Sequence, residues 1–218
     1  MIERADGSSE NKTSARWAAS PPEDVYDNGW QASEPILLDK YWSGEVAPQD
    51  RRAEVRVLWN DSGLYVLFRC VQREELVVEH PPQTSRKRIG LWDRDVCEVF
   101  LAPAAAMPSR YFEFEAAPNG EWLDIKIHLT EQRRESDWDF NSGMSVQAII
   151  ESDRVLTSMF VPWSNEVPRP SAGDVWRANF FRCVGRGEQR GYLAWQPTFT
   201  DEPNFHVPEA FGWLRFEE

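Results

Sequence analysis

The chain consists of short segments that alternate apolar and polar residues and stop at turn signals. AEVRVLWN (53–60) alternates in this way, the turn sequence NDSG (60–63) follows it, and LYVLFRCV (64–71) alternates again. A two-residue period on both sides of a turn is typical of an antiparallel hairpin. Further strands are predicted at 94–101, 110–117, 121–129, 144–151, 154–163, 175–184, 192–198 and 212–216. No segment keeps a helical period over three turns, so the sequence predicts an all-β antiparallel sandwich of two immunoglobulin-like sheets.

Length and charge limit the domain number and the partners. A chain of 218 residues is long enough for one domain with a substantial core, and no linker interrupts it. We expect a loosely ordered polar tail over residues 1–19 and one domain over residues 20–218. The net charge of −12 repels phosphate backbones and anionic lipids, so nucleic acid and membranes are poor candidate partners.

The cysteines and the first residues bear on the compartment. Cys70, Cys97 and Cys183 lie far apart in apolar segments, which predicts three buried free thiols rather than a disulfide framework or a zinc site. MIERADGSSENKTSARW (1–17) has no apolar core, so no signal peptide is predicted. The compartment stays open between the cytoplasm and secretion, and the oligomeric state stays open as well.

The segment LWDRDVCEVF (91–100) places an aromatic residue before a strand that contains a carboxylate. If strands 94–101 and 110–117 pair, Glu98, Glu113 and Glu115 share one face of the sheet. A sugar needs a flat apolar ring for its C–H face and acceptors for its hydroxyl groups. Trp92 is a candidate for the ring, and Glu98 and Glu113 are candidates for the acceptors. Glu115 is expected to be structural.

Each of these residues also has a structural interpretation. Trp92 would then cover the rim of the sandwich, and an internal arginine such as Arg69 or Arg182 would pair with Glu98. Asp93 and Asp95 would cap a turn, although clustered carboxylates also suit a hard cation. The proline-flanked loop Asn204-Phe205-His206 combines an aromatic ring with two polar side chains, which suits recognition or a purely structural role.

Taken in order, a series of motifs resembles the family 9 carbohydrate-binding modules over about residues 20–218. The motifs are Trp92-Asp93-x-Asp95 leading into Val96-x-Glu98-Val99-Phe100, Tyr111-Phe112-Glu113-Phe114-Glu115 with Asn119-Gly120, Val161-Pro162-Trp163, Gly173-Asp174-Val175-Trp176, Trp195-x-Pro197-Thr198, Asn204-Phe205-His206 and Phe211-Gly212.

The resemblance implies a DOMON-like sandwich that binds the end of a β-glucan or xylan chain between two aromatic rings. It implies an accessory role in polysaccharide degradation, no required cofactor, and structural calcium in some members. The family's first binding tryptophan corresponds to Trp92 and its strand glutamate to Glu98. The second aromatic position falls in segment 204–206, where this chain has Phe205 and His206 instead of tryptophan. Glu113 stands where classical members have a basic residue.

Two alternatives to a non-catalytic sugar-binding domain remain. Glu98 and Glu113 could act as the carboxylate pair of a glycoside hydrolase, which needs about 5–5.5 Å between them for retention and about 6.5–9.5 Å for inversion. A DOMON-type haem or redox-ligand binder would need Met and His ligands facing one pocket. Met144 and Met159 lie in strand segments without an evident histidine partner.

Overall fold

A computed structural model describes residues 11–218, and these residues form a nearly all-β domain. Its helical segments are short 3-10 turns, and within residues 11–218 no helix is long and apolar enough to span a bilayer. The strands are β1 (Lys12–Trp17), β2 (Ile36–Leu38), β3 (Lys40–Tyr41), β4 (Ala53–Trp59), β5 (Gly63–Val71), β6 (Val96–Ala102), β7 (Arg110–Ala116), β8 (Trp122–Leu129), β9 (Arg134–Asp137), β10 (Ser145–Ile150), β11 (Arg154–Pro162), β12 (Val175–Val184), β13 (Gly191–Ala194) and β14 (Gly212–Glu217).

The strands form one curled sheet in the order β10-β11-β5-β4-β1-β14-β12-β6-β7-β8-β9. Strand β2 is added beside β4, and β13 connects β12 to β3. All pairings are antiparallel except those of β1, which runs parallel to β14 and β4. The curl places β4, β5 and β11 over β6, β7 and β12, so the predicted β-sandwich is confirmed.

The main core fills the space between the two halves of the curled sheet. Phe68 of β5 and Phe180 of β12 approach edge to face with ring centroids 6.4 Å apart. The Sγ atoms of Cys70 on β5 and Cys97 on β6 lie 3.5 Å apart within the same core. All three cysteines are free and buried, as the sequence predicts.

Strand β1 lies within the region that the sequence assigns to a loose tail. Residues 1–10 are outside the described part of the chain, but Lys12–Trp17 pair with β14 and with β4. Ala15, in the middle of β1, is completely buried. The polar side chains of this segment show no strand pattern. Backbone hydrogen bonds to two neighbouring strands hold the segment in place instead. The ordered domain therefore starts earlier than residue 20.

The sheet of β6, β7 and β8 separates two cores. Phe112 and Phe114 of β7 point into the main core, as their alternation predicts. Tyr111 of the same strand belongs to a second cluster on the outer face, together with Phe100 and Phe211. Segments around residues 203–211 and the turn at 91–93 cover this outer face. The candidate site lies between them.

Candidate functional site

A cavity of about 400 Å³ opens on the outer face of β6, β7 and β8. Every candidate site residue proposed from the sequence lines it, namely Trp92, Glu98, Glu113, Asn204, Phe205 and His206. The cavity is therefore built from the turn before β6, the strands themselves and the loop before β14. These segments are far apart in sequence and meet only in the folded domain.

Three carboxyl groups lie together at the base of the cavity, where Glu98 and Glu113 line it and Glu115 lies buried beside them. Glu98 is directly opposite Glu115 in the β6–β7 register, and Glu113 is one outward-facing position further along β7. All three side chains are buried, and one carboxylate oxygen from each lies within 4.8 Å of the others. The predicted common face is thus present. Burial raises the pKa of each of the three carboxyl groups, and mutual repulsion raises the pKa values of Glu98 and Glu115 further.

The contacts of these acids are few. The Cys183 thiol lies 3.6 Å from Glu98 Oε1. Among the described residues, no N–H group or alcohol reaches Glu113 Oε2 or either oxygen of Glu115, and these two carboxyl groups lie within hydrogen-bonding reach of each other. Buried acceptors that lack a donor are costly, at about 1–3 kcal/mol each, and are uncommon in folded domains. The floor therefore presents acceptors that the protein itself does not satisfy.

Neither candidate arginine pairs with Glu98. Arg182 donates to the backbone oxygens of Arg51 and Val71 and to the side chain of Gln72. Arg69 forms a 3.5 Å ion pair with Glu54. The interpretation of Glu98 as the partner of one of these arginines is wrong, since both guanidinium groups are engaged elsewhere.

Trp92 is held by its backbone and leaves its ring partly exposed. It lies in a 3-10 turn, Leu91–Asp93, whose first side chain is fully buried. The Arg190 guanidinium donates to the Trp92 carbonyl at 2.7 Å and to the Arg94 carbonyl at 2.6 Å. It also donates to the carbonyls of Asp93 and Gly185. Arg190 thus fixes the turn that carries Trp92. The sequence did not predict this role, because nothing near residue 190 indicates which turn its side chain binds.

A second tryptophan at the cavity was also missed. The Trp138 ring centroid is 6.1 Å from that of Trp92, the two rings are inclined by 43°, and Trp138 is 37% exposed. The sequence predicts no strand between residues 129 and 144, whereas Arg134–Asp137 form the edge strand β9 beside β8. Arg134 and Ser136 line the cavity with Trp138. These three residues are spaced two apart, which is the pattern that could have indicated a strand.

Lys87 fixes the segment that carries Trp138. Its ammonium forms a 2.7 Å ion pair with Asp124, whose side chain is completely buried. It also donates to the carbonyl of Trp138 at 3.2 Å and to that of Phe140. Asp124 additionally accepts from the backbone N–H and the hydroxyl of Ser142. Lys87 and Asp124 together therefore link β8 to residues 138, 140 and 142.

The loop at 203–206 forms one wall of the cavity. Phe205 stacks on Phe181 with centroids 4.0 Å apart and is only 8% exposed, so it is part of the outer core as well as of the wall. His206 Nδ1 lies 2.7 Å from the Tyr111 hydroxyl. Burial lowers the pKa of His206 to about 3, so the ring is neutral at physiological pH. Its Nδ1 atom can therefore accept a hydrogen bond from the Tyr111 hydroxyl. Asn204 caps the turn through a bond from the His206 N–H.

The two aspartates before β6 have different surroundings. Asp95 is buried and accepts from the backbone N–H groups of Val77 and Gly185 and from the Gln72 amide. Its carboxylate therefore joins two distant segments and does not cap its own turn, and both of its oxygens are already engaged by donors of the protein. Asp93 is exposed at the edge of the cavity.

Comparisons with known proteins agree with this fold. Residues 23–218 match the family described as carbohydrate family 9 binding domain-like. An extracellular protein of Arthroderma benhamiae is 26% identical over 176 residues, which cover 74% of this chain and 77% of that protein.

Two solved structures resemble the whole domain. A candidate carbohydrate-binding protein from Bacteroides uniformis has a TM-score of 0.73 at 17% identity and covers 95% of this chain and 99% of its own. A family 9 carbohydrate-binding module from Caldicellulosiruptor kristjanssonii, in complex with cellotriose, has a TM-score of 0.66 at 13% identity, with 94% and 93% covered. At such low identities these structures show a shared fold. The sequence match extends over nearly the whole chain, and the protein therefore belongs to the carbohydrate family 9 binding domain-like family.

Proposed function

We propose that this protein binds a saccharide in the cavity without catalysis, and that the ligand is a β-linked glucan- or xylan-type chain. The observation that carries the proposal is the joint presence of two partly exposed indole rings and two cavity-lining carboxylates, Glu98 and Glu113. An accessory role in polysaccharide degradation is part of the proposal. The related module from C. kristjanssonii in complex with cellotriose supports a ligand of this kind.

The chemistry of the cavity suits a sugar ring. The C–H face of a pyranose packs on an indole ring, which gains apolar contact without needing a polar partner. The ring hydroxyls can donate to the oxygens of Glu98 and Glu113, and a carboxyl group that carries a proton can itself donate to a ring hydroxyl. A cavity of about 400 Å³ is in the ordinary range for small-ligand sites. Trp92, Trp138 and the floor acids would therefore divide the recognition between stacking and hydrogen bonding.

The test is calorimetric titration with cello- and xylo-oligosaccharides, together with quenching of tryptophan fluorescence. Trp92→Ala should abolish measurable binding while the far-UV circular dichroism stays unchanged. The matched control is Trp213→Ala, because Trp213 is also partly buried but lies on β14 against Arg177, outside the cavity. Unchanged affinity in Trp92→Ala would overturn the site assignment.

One observation favours a glycoside hydrolase as the second candidate. Glu98 and Glu113 both line the cavity, and their nearest oxygens fall within 4.8 Å, close to the roughly 5–5.5 Å separation of retaining enzymes. Release of reducing ends from xylan or β-glucan, lost in Glu98→Gln, would support this candidate. Binding without any release would support the non-catalytic proposal.

A further inference from the structure

We propose that Glu98, Glu113 and Glu115 together bind one hard divalent cation, best matched by Ca²⁺, at the floor of the cavity. The cation would present its remaining coordination positions to two neighbouring hydroxyl groups of the saccharide. This second part rests on the proposed function, whereas cation binding itself does not.

The spacing of the acids fits a single ion. Ca²⁺ binds oxygen ligands at about 2.3–2.6 Å, so two of its ligand atoms are at most about 5 Å apart. One oxygen from each of the three carboxylates lies within 4.8 Å of the other two. The three side chains come from adjacent, hydrogen-bonded strands in the interior of the sheet, so their backbone positions are fixed. A cation could therefore contact all three without a change in the fold.

Unpartnered oxygens provide the second line of support. Glu115 is completely buried, and among the described residues only Glu113, itself an acid, lies within hydrogen-bonding reach of its carboxyl group. Glu113 is 3% exposed, and its Oε2 atom also lacks an N–H or alcohol donor among the described residues. A buried acid is stabilised by a proton, by hydrogen-bond donors or by a counter-charge, and a metal ion that displaces the protons supplies a counter-charge to three acids at once.

The nearest cationic side chains leave the acids without a direct counter-ion. The four backbone carbonyls of the 92–94 turn and Gly185 bind the Arg190 guanidinium. Arg134 is exposed on the edge strand β9, and among the described residues no ion pair joins it to a floor acid. A dication would offset most of the charge of three ionised carboxylates, which a single ammonium group would not.

The depth of Glu115 favours an ion over a charged amino sugar. Glu98 and Glu113 line the cavity, whereas Glu115 is fully buried beside them and does not. An ammonium group attached to a pyranose ring would reach the two lining acids only. A small ion between the carboxylates contacts all three and still has an open side toward the cavity. Ca²⁺ usually binds about six to eight oxygen atoms, so a sugar diol or water can complete its coordination shell.

The first experiment measures the cation without any sugar. CaCl₂ is titrated calorimetrically into protein freed of metal with EDTA, and the melting temperature is recorded with and without Ca²⁺. The wild type should bind one equivalent and melt at a higher temperature with Ca²⁺. Glu115→Gln should weaken the affinity for Ca²⁺ by more than about tenfold, because the site loses one of its charged ligands.

The matched control is Glu135→Gln, which makes the same substitution at an exposed acid of β9 and should leave Ca²⁺ binding unchanged. If Glu115→Gln fails to fold in EDTA, Glu98→Gln replaces it. Absence of any Ca²⁺ heat and of any melting shift in the wild type would overturn the inference, and so would full Ca²⁺ affinity in the folded acid variants.

The second experiment titrates cello- and xylo-oligosaccharides in Ca²⁺ and in EDTA. Higher affinity in Ca²⁺, with the gain absent in Glu115→Gln, supports the bridging role. Equal sugar affinity in both buffers overturns that role and leaves the proposed function standing. Cation binding without binding of any saccharide overturns the proposed function and the bridge, and it leaves the metal site.

Discussion

Replacement of Lys87 by methionine tests how the cavity wall with Trp138 is held. The substitution keeps the aliphatic stem and removes the ammonium that joins Asp124 to the carbonyls of Trp138 and Phe140. Removing one partner of a buried pair costs about 3–5 kcal/mol, because the other charge stays buried. Asp124 keeps its two bonds from Ser142, which places the expected loss in the free energy of unfolding near the lower limit, at about 3 kcal/mol.

The measurement is urea denaturation at neutral pH, followed by circular dichroism. The matched control is Lys126→Met, because Lys126 pairs with Glu166 at the surface and should change stability by less than about 1 kcal/mol. Adding Asp124→Asn to Lys87→Met removes the uncompensated charge and should recover part of the loss. A Lys87→Met protein within about 1 kcal/mol of the wild type would refute the argument that this ion pair supports the wall.

Three further predictions concern the walls of the cavity. Arg190→Lys should lower saccharide affinity by roughly five- to tenfold, because an ammonium cannot replace a guanidinium fork across several carbonyls; unchanged calorimetric affinity would contradict the clamp on Trp92. Trp138→Ala should lower affinity by roughly tenfold and leave the urea midpoint nearly unchanged, since the ring is partly exposed; full affinity would exclude Trp138 from the site. His206 has a folded pKa of about 3 against an ordinary value of 6.5, so its stabilising neutral state is complete above pH 6.5 and is lost as pH falls toward 3. Between pH 8 and 5 this should remove about 2 kcal/mol, and His206→Gln should reduce the pH dependence of unfolding; an identical dependence in both proteins would contradict the assignment.

The parts of the fold that the sequence predicted are those encoded by local alternation. The two-residue period of β7 puts Glu113 and Glu115 on the face opposite to Phe112 and Phe114, and pairing with β6 then adds Glu98. The candidate residues of the cavity were found because their chemical types are unusual within strands. Such reasoning needs no knowledge of distant contacts.

The parts that it did not predict depend on contacts between distant segments. Strand β1 is polar and is held by backbone pairing to β4 and β14, which its own side chains do not indicate. Trp138 reaches the cavity because Lys87, about fifty residues earlier, binds its carbonyl. Arg190 supports Trp92 across a larger separation, 98 residues. A single sequence carries no direct record of such pairs.

Two oxygen-rich places in the β6–β9 half of the domain show how the protein handles buried negative charge. In one, a single carboxylate, Asp124, and backbone carbonyls surround the Lys87 ammonium, so one positive charge meets one negative charge within the protein. In the other, three carboxylates meet beside a cavity, and no described side chain forms an ion pair with any of them. The first place is complete without a ligand. The second has acceptors, charge and access to the cavity, and these are the properties that a site for an external cation requires.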